Sequence, residues 1–166
     1  PYRVLEAWSP SDKQRMFEGT RWWLYHYEEY IDPFTSKPQP GISRAIVSMK
    51  EFAKLTIENI DASGGEPGRK EKYKGQYSIY KGSKGEYLLL ECWLADSHEK
   101  DLHILIYIGN DELKSGEIAL GQYHNVNNTI YSGTVIMEKV RQQGSLKPAF
   151  FKNRDKSVPT VYWDFF

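Results

Sequence analysis

The sequence predicts an all-β protein, an antiparallel up-and-down β-barrel of about eight strands with a short N-terminal helix and an aromatic C-terminal tail. Aromatic residues make up 14% of the chain, with 12 Tyr, 7 Phe and 5 Trp, a composition typical of strands. Eight strand-like segments follow one another with short turns and no long helix between them, which favours a meander over a parallel sheet. An eight-stranded barrel is filled by side chains or holds one small ligand.

The pattern divides the chain into a helical lead-in at 1–18, a barrel at 19–143 and a tail at 144–166 that packs on the barrel. Ser9 and Pro10 are typical of a helix start, and Gly19 of its end. Three prolines predict an exposed loop at 32–41, able to lie over a barrel mouth, since proline cannot donate to a strand ladder. The strands are expected at 21–30, 42–50, 53–60, 73–80, 86–94, 102–108, 117–126 and 129–140.

Charge and cysteine content exclude several classes of protein. Lys+Arg and Asp+Glu number 22 each, so no overall field draws the chain onto duplex nucleic acid or an anionic membrane. The single cysteine, Cys92, excludes an internal disulfide and favours the cytoplasm. The chain starts at Pro1 without a signal peptide. We therefore expect a cytoplasmic domain, with a transmembrane or effector module upstream if the protein is membrane-anchored.

No pattern of catalytic or metal-binding residues is apparent. The four histidines have no His-x-His or His-Glu-x-x-His spacing, and there is no Gly-x-Ser-x-Gly elbow or phosphate loop. Cys92 lies between Leu90 and Leu94 in a strand, where a small buried hydrophobe is expected. We expect a protein that is not an enzyme and has no catalytic residue, metal site or cofactor.

The first strand offers two candidate inner faces. Alternation places Trp23, Tyr25 and Tyr27 on one face, and Trp22, Leu24, His26 and Glu28 on the other. If the aromatic set faces inward, its rings can stack on a planar ligand. If not, these rings belong to a core or an outer packing surface.

Further candidate ligand contacts are Arg44, Tyr77, Tyr107, Tyr123 and Asn125. Arg44 follows the proline-rich segment, where a guanidinium can bind a phosphate or carboxylate. Tyr123 and Asn125 share one face of the most polar strand end. On the strand at 102–108 the aliphatic face is the better core, which turns Tyr107 outward unless the lumen is polar.

Two family resemblances follow from these motifs. Glu-Gly-Thr-Arg-Trp-Trp at 18–23 resembles the opening of calycin-type barrels, the lipocalin and streptavidin architecture, which implies that an arginine such as Arg21 stacks on the first-strand Trp. Together with Gly-Gln-Tyr-His-Asn at 121–125 and Tyr-Ser-Gly-Thr-Val at 131–135, the chain resembles the small β-barrel sensor domains of bacterial antiphage effectors. That resemblance implies recognition of a cyclic nucleotide signal and two transmembrane helices before the barrel.

We therefore expect a ligand-binding sensor barrel for a cyclic nucleotide second messenger in antiphage defence, which passes the signal to an attached effector or changes oligomeric state. Its partners are then a small molecule, such as a cyclic oligonucleotide, and a second copy of the chain. The alternatives are a lipocalin-like carrier of an apolar molecule and a protein-interaction barrel with a filled core that uses the aromatic tail.

Overall fold

The computed structural model describes residues 12–60, 70–96, 101–109, 117–126, 130–141, 146, 149–152, 156 and 158–166. Most of them lie in antiparallel strands, and eight strands form a closed barrel, which confirms the predicted fold class. The elements are α1 (Asp12–Phe17), β1 (Arg21–Ile31), β2 (Pro38–Met49), β3 (Lys54–Ile60), β4 (Lys70–Gly82), β5 (Gly85–Leu94), β6 (Asp101–Gly109), β7 (Ile118–Val126), β8 (Ile130–Lys139), β9 (Ala149–Lys152) and α2 (Thr160–Asp164).

The barrel is an up-and-down meander. Each strand from β1 to β8 pairs with the next in sequence, and β8 pairs back with β1. The closing register joins Trp22 to Lys139 and His26 to Val135. Closure removes the two exposed edges that an open eight-stranded sheet would have.

Alternate side chains point into the barrel and form its main core. On β6 the inward set is Ile104, Ile106 and Ile108, the aliphatic face that the sequence favoured. On β1 the inward set includes Trp22 and Leu24. Because the buried inner residues form one packed cluster, apolar side chains occupy the middle of the lumen.

The N-terminal helix packs at one end of the barrel, here called the α1 end. The Phe17 and Trp22 ring centroids lie 5.6 Å apart. The Trp22 indole N–H donates to Thr20 Oγ1 at 2.8 Å, and the Thr20 hydroxyl donates to the Phe17 carbonyl at 2.5 Å. The cation over the Trp22 ring is Lys139 of β8, at 5.8 Å, whereas Arg21 is exposed. Alternation places Arg21 on the opposite face of β1 from Trp22, so the cation found near this ring comes from β8.

The loop predicted at 32–41 is shorter than expected. β2 begins at Pro38, which pairs with Ile31, and Pro40 pairs with Glu29. Proline is tolerated here because, among the described strands, only β1 pairs with this part of β2, as on an edge strand. The remaining loop is closed by a 3.0 Å hydrogen bond from the Asp32 N–H to the Lys37 carbonyl.

A second, smaller core lies on the outer face of β1, β2 and β8. There β9 pairs with Gly41–Arg44 of β2, whereas β3 pairs with the later half of that strand. The sequence predicted a packed tail but neither β9 nor α2. Residues 149–152 and 158–166, here called the C-terminal segment, complete this outer core. Its buried members are Tyr25, Ile42, Ile136, Phe151, Val158, Tyr162 and Trp163.

Candidate functional site

Three predicted ligand contacts, Trp23, Tyr25 and Arg44, lie close together but outside the lumen. The Arg44 guanidinium lies over the Trp23 ring, 3.9 Å from its centroid, and 5.3 Å from the centroid of Phe151. Tyr25 packs edge-on against Tyr162 at 5.0 Å. The cation and the rings are therefore used to hold the C-terminal segment.

The structure decides between the two candidate inner faces of β1. Trp22 and Leu24 face inward, and alternation along β1 turns Trp23 and Tyr25 outward. The same rule on β2 turns Arg44 outward, since Ala45 faces inward. A ligand inside the barrel is consequently out of reach of the Arg44 guanidinium.

Tyrosine hydroxyls strengthen the docking of the C-terminal segment. The Tyr162 hydroxyl donates to the Glu138 carboxylate. Burial raises the pKa of Tyr162, and the bond to Glu138 raises it further. Burial also raises the pKa of Tyr25, with Glu138 adding and Arg44 opposing. Both phenols therefore keep their protons at neutral pH; Tyr162 donates to Glu138, and Tyr25 accepts from the Arg44 guanidinium.

The other predicted tyrosines are scattered. Tyr27 lies on the outward face of β1, and Tyr107 is exposed on β6, where its hydroxyl donates to the Lys84 carbonyl at 2.8 Å. Tyr77 faces inward but near the α1 end, where its hydroxyl donates to the Lys50 carbonyl at 3.2 Å. Burial, aided by the Glu18 charge, raises the pKa of Tyr77 to about 12. These three positions do not share one site.

Tyr123 and Asn125 do face the lumen, near the end opposite α1. Tyr123 packs against the inner core, and alternation places Asn125 on the same face of β7. The Tyr123 ring also contacts His26 of β1. His26 lies on the inward face of β1, and its register partner Ser43 on β2 is fully buried, at 0% exposure. We call His26, Ser43, Tyr123 and Asn125 the His26 site.

A glycine lets this site form across three strands. The His26 and Tyr123 ring centroids lie 5.9 Å apart in an edge-on contact, although β8 separates their strands. On β8, Gly133 is the register partner of Tyr123. A Cβ at Gly133 would lie 2.7 Å from Cε1 of Tyr123. The tyrosine ring therefore lies over the bare backbone of β8 to reach His26.

The His26 site offers both hydrogen bonding and stacking. The Oδ1 atom of Asn125 is buried, and it has no hydrogen-bond partner in the described part of the chain. A buried acceptor without a donor costs about 1–3 kcal/mol, which a ligand N–H can recover. Imidazole and phenol rings are surfaces on which planar heterocycles stack. The arrangement can hold a planar, hydrogen-bonding group.

Sequence reasoning identified half of this site. The alternation of β1 placed His26 on the face with Trp22 and Leu24, but those neighbours indicated a core and not a pocket. Ser43 had no signal except its small size and its place beside Arg44. The missing information was which face of β1 points inward and the register of β8 against β1, which together bring His26 towards Tyr123.

The described residues contain neither a metal-binding cluster nor a membrane-spanning helix. No group of three or more His, Cys, Asp or Glu side chains there is arranged to hold a metal ion. No helix in the described part of the chain has both the length and the apolar composition needed to cross a membrane.

We expect the Cys92 thiol to be inert in the native protein. Cys92 is 2% exposed, and burial, with a smaller contribution from Glu91, raises the pKa of its thiol to about 12. Because only the thiolate attacks disulfide reagents, reaction at pH 8 should be slow. The measurement is the rate of colour release from Ellman's reagent, with and without urea. Rapid native labelling would show that β5 opens readily.

Comparisons with known proteins add no relative. No protein-family model, no curated protein and no solved structure matches the chain at a significant level.

Proposed function

We propose that this protein is a ligand-binding sensor barrel whose ligand site is the His26 site, and that its ligand is a cyclic nucleotide signal with a base that enters the lumen. The observation that carries the proposal is the buried Oδ1 of Asn125, which has no donor within the described residues and which belongs to the same face of β7 as Tyr123. Asparagine pairs in a bidentate manner with adenine, accepting from N6 and donating to N7. An adenine base fits this chemistry, with Tyr123 or His26 as the stacking partner.

The two other functions have less support from the contacts. An apolar carrier needs an empty apolar lumen, whereas the protein's own side chains, including Leu88, Leu90 and Ile106, pack together inside the barrel. A protein-interaction role for the aromatic tail needs several exposed rings, whereas Phe151, Tyr162 and Trp163 are buried on the barrel itself and Phe165 is 38% exposed. A polar end of a filled lumen favours a small ligand at that end.

The proposal predicts saturable binding of cyclic di-AMP, weakened about tenfold or more by Asn125→Ala, since a bidentate amide pair contributes about 1–3 kcal/mol. The matched control is Gln122→Ala, which removes an exposed amide from the opposite face of the same strand. Isothermal titration calorimetry measures both affinities, and cyclic di-GMP tests base selectivity.

Several outcomes would contradict the proposal. One is that no cyclic nucleotide in the panel binds or changes the thermal stability of the protein. Another is that Asn125→Ala and Gln122→Ala have the same affinity as the unaltered chain, which would place the ligand elsewhere. An apolar molecule released on denaturation and detected by mass spectrometry would favour the carrier function.

A further inference from the structure

The C-terminal segment and the His26 site share the same short stretches of backbone. On β1, Tyr25 contacts the C-terminal segment while the next residue, His26, faces the lumen. On β2, Ile42 and Arg44 face the segment, and Ser43 between them faces the lumen. Because side chains alternate, β1 and β2 each direct one face to the His26 site and the other face to the C-terminal segment. A movement of either strand alters both.

The C-terminal segment can leave the barrel without opening it. Its buried side chains belong to the outer cluster, and the inner cluster is built without them. The eight-strand closure runs from β1 through β8 and does not include β9. Release of the segment therefore leaves a closed barrel with its inner core intact.

Docking of the C-terminal segment buries a polar group, the Trp163 indole N–H, that has no hydrogen-bond partner among the described residues. Trp163 is 8% exposed, and its buried indole N–H has no acceptor within the described residues. A buried donor without a partner costs about 1–3 kcal/mol, which contact with water would recover. The stabilising contacts of Tyr162 with Glu138 and of Arg44 with two rings are thus partly offset.

We propose that the C-terminal segment is the output of the sensor, and that a ligand at the His26 site loosens its docking. This inference rests on the ligand site proposed above. The His26 and Tyr123 rings are in edge-on contact, with centroids 5.9 Å apart, so a planar ligand that stacks on either ring at roughly 3.5 Å displaces the other. Displacement of His26 disturbs β1, and with it Trp23 and Tyr25 on the outer face of that strand.

The first test needs no ligand. Gly133→Ala displaces the Tyr123 ring from inside the site, and Gly82→Ala is the matched control, since its Cβ would lie 2.6 Å from the ring of Tyr87 on the outer face of β5. Hydrogen exchange of residues 149–152 and 158–166 is followed by mass spectrometry. We expect Gly133→Ala to speed exchange about 2–30-fold, the range of such couplings, and Gly82→Ala to leave it unchanged. Equal effects in the two variants, or no effect in either, would overturn the coupling.

The second test uses reciprocity. If cyclic di-AMP favours release, docking and ligand binding oppose each other reciprocally, so a variant with weaker docking must bind cyclic di-AMP more tightly. Tyr162→Phe removes the bond to Glu138, and Tyr107→Phe removes a remote tyrosine bond on β6 as the control. We expect tighter binding for the first variant alone; unchanged or weaker binding refutes the direction. Should cyclic di-AMP fail to bind at all, the nucleotide proposal fails, while the glycine pair still decides the coupling.

Discussion

Replacing Trp22 with alanine is expected to lower the free energy of unfolding by about 3–5 kcal/mol, the range for a fully buried large aromatic side chain. Trp22 is 2% exposed and packs against Phe17. Its indole N–H donates a hydrogen bond to the Thr20 hydroxyl, which in turn donates to the carbonyl of Phe17, the last residue of α1. The substitution therefore leaves a cavity, and it also removes the ring contact and the hydrogen bond that attach α1 to the barrel.

Urea unfolding followed by circular dichroism measures the effect, with Phe34→Ala as the control. Phe34 is 95% exposed in the β1–β2 loop, so its removal should change stability by less than about 0.5 kcal/mol. An equal small loss in both variants would mean that the inner core tolerates the cavity and that α1 contributes little to closure.

The strands were predictable because their turns and alternation are local. Gly, Asn and Asp between apolar segments predicted most hairpins, and the uninterrupted aliphatic face of β6 predicted which side is inward. The prediction at 32–41 was wrong in part because proline forbids a ladder only on the side where a donor is needed. Whether a donor is needed at Pro38 and Pro40 depends on which strands pair with them, and the local sequence does not reveal those pairings.

The inner face of β1 could not be chosen from the sequence, because both faces are covered. Binary patterning works when one face meets solvent. Here Trp22 and Leu24 pack in the lumen, while Tyr25 packs under α2, so both sets are apolar or aromatic. The outer face of β1 is covered by the C-terminal segment, which lies more than a hundred residues later in the chain. The contact of His26 with Tyr123 depends likewise on distant parts of the chain, namely the registers of β8 against β1 and β7, which is why His26 and Ser43 were missed.

Gly75 should be the glycine least tolerant of substitution, with a loss of about 3 kcal/mol for Gly75→Ala, at the upper end of overpacking effects. Its Cβ would lie 2.0 Å from the Glu91 carbonyl oxygen and 2.8 Å from the Cα of Cys92. Both atoms belong to the backbone of β5, which pairs with β4 at this point. A side chain cannot be added without moving the two strands apart.

Gly133→Ala is the matched comparison, since there the Cβ meets the Tyr123 ring, and a side chain can rotate away. We expect it to lose only about 1 kcal/mol, near the centre of the range for point substitutions. Thermal and urea unfolding of the two variants separate a backbone clash from a side-chain clash. If Gly75→Ala were as mild as Gly133→Ala, β4 and β5 would have to separate at little cost there.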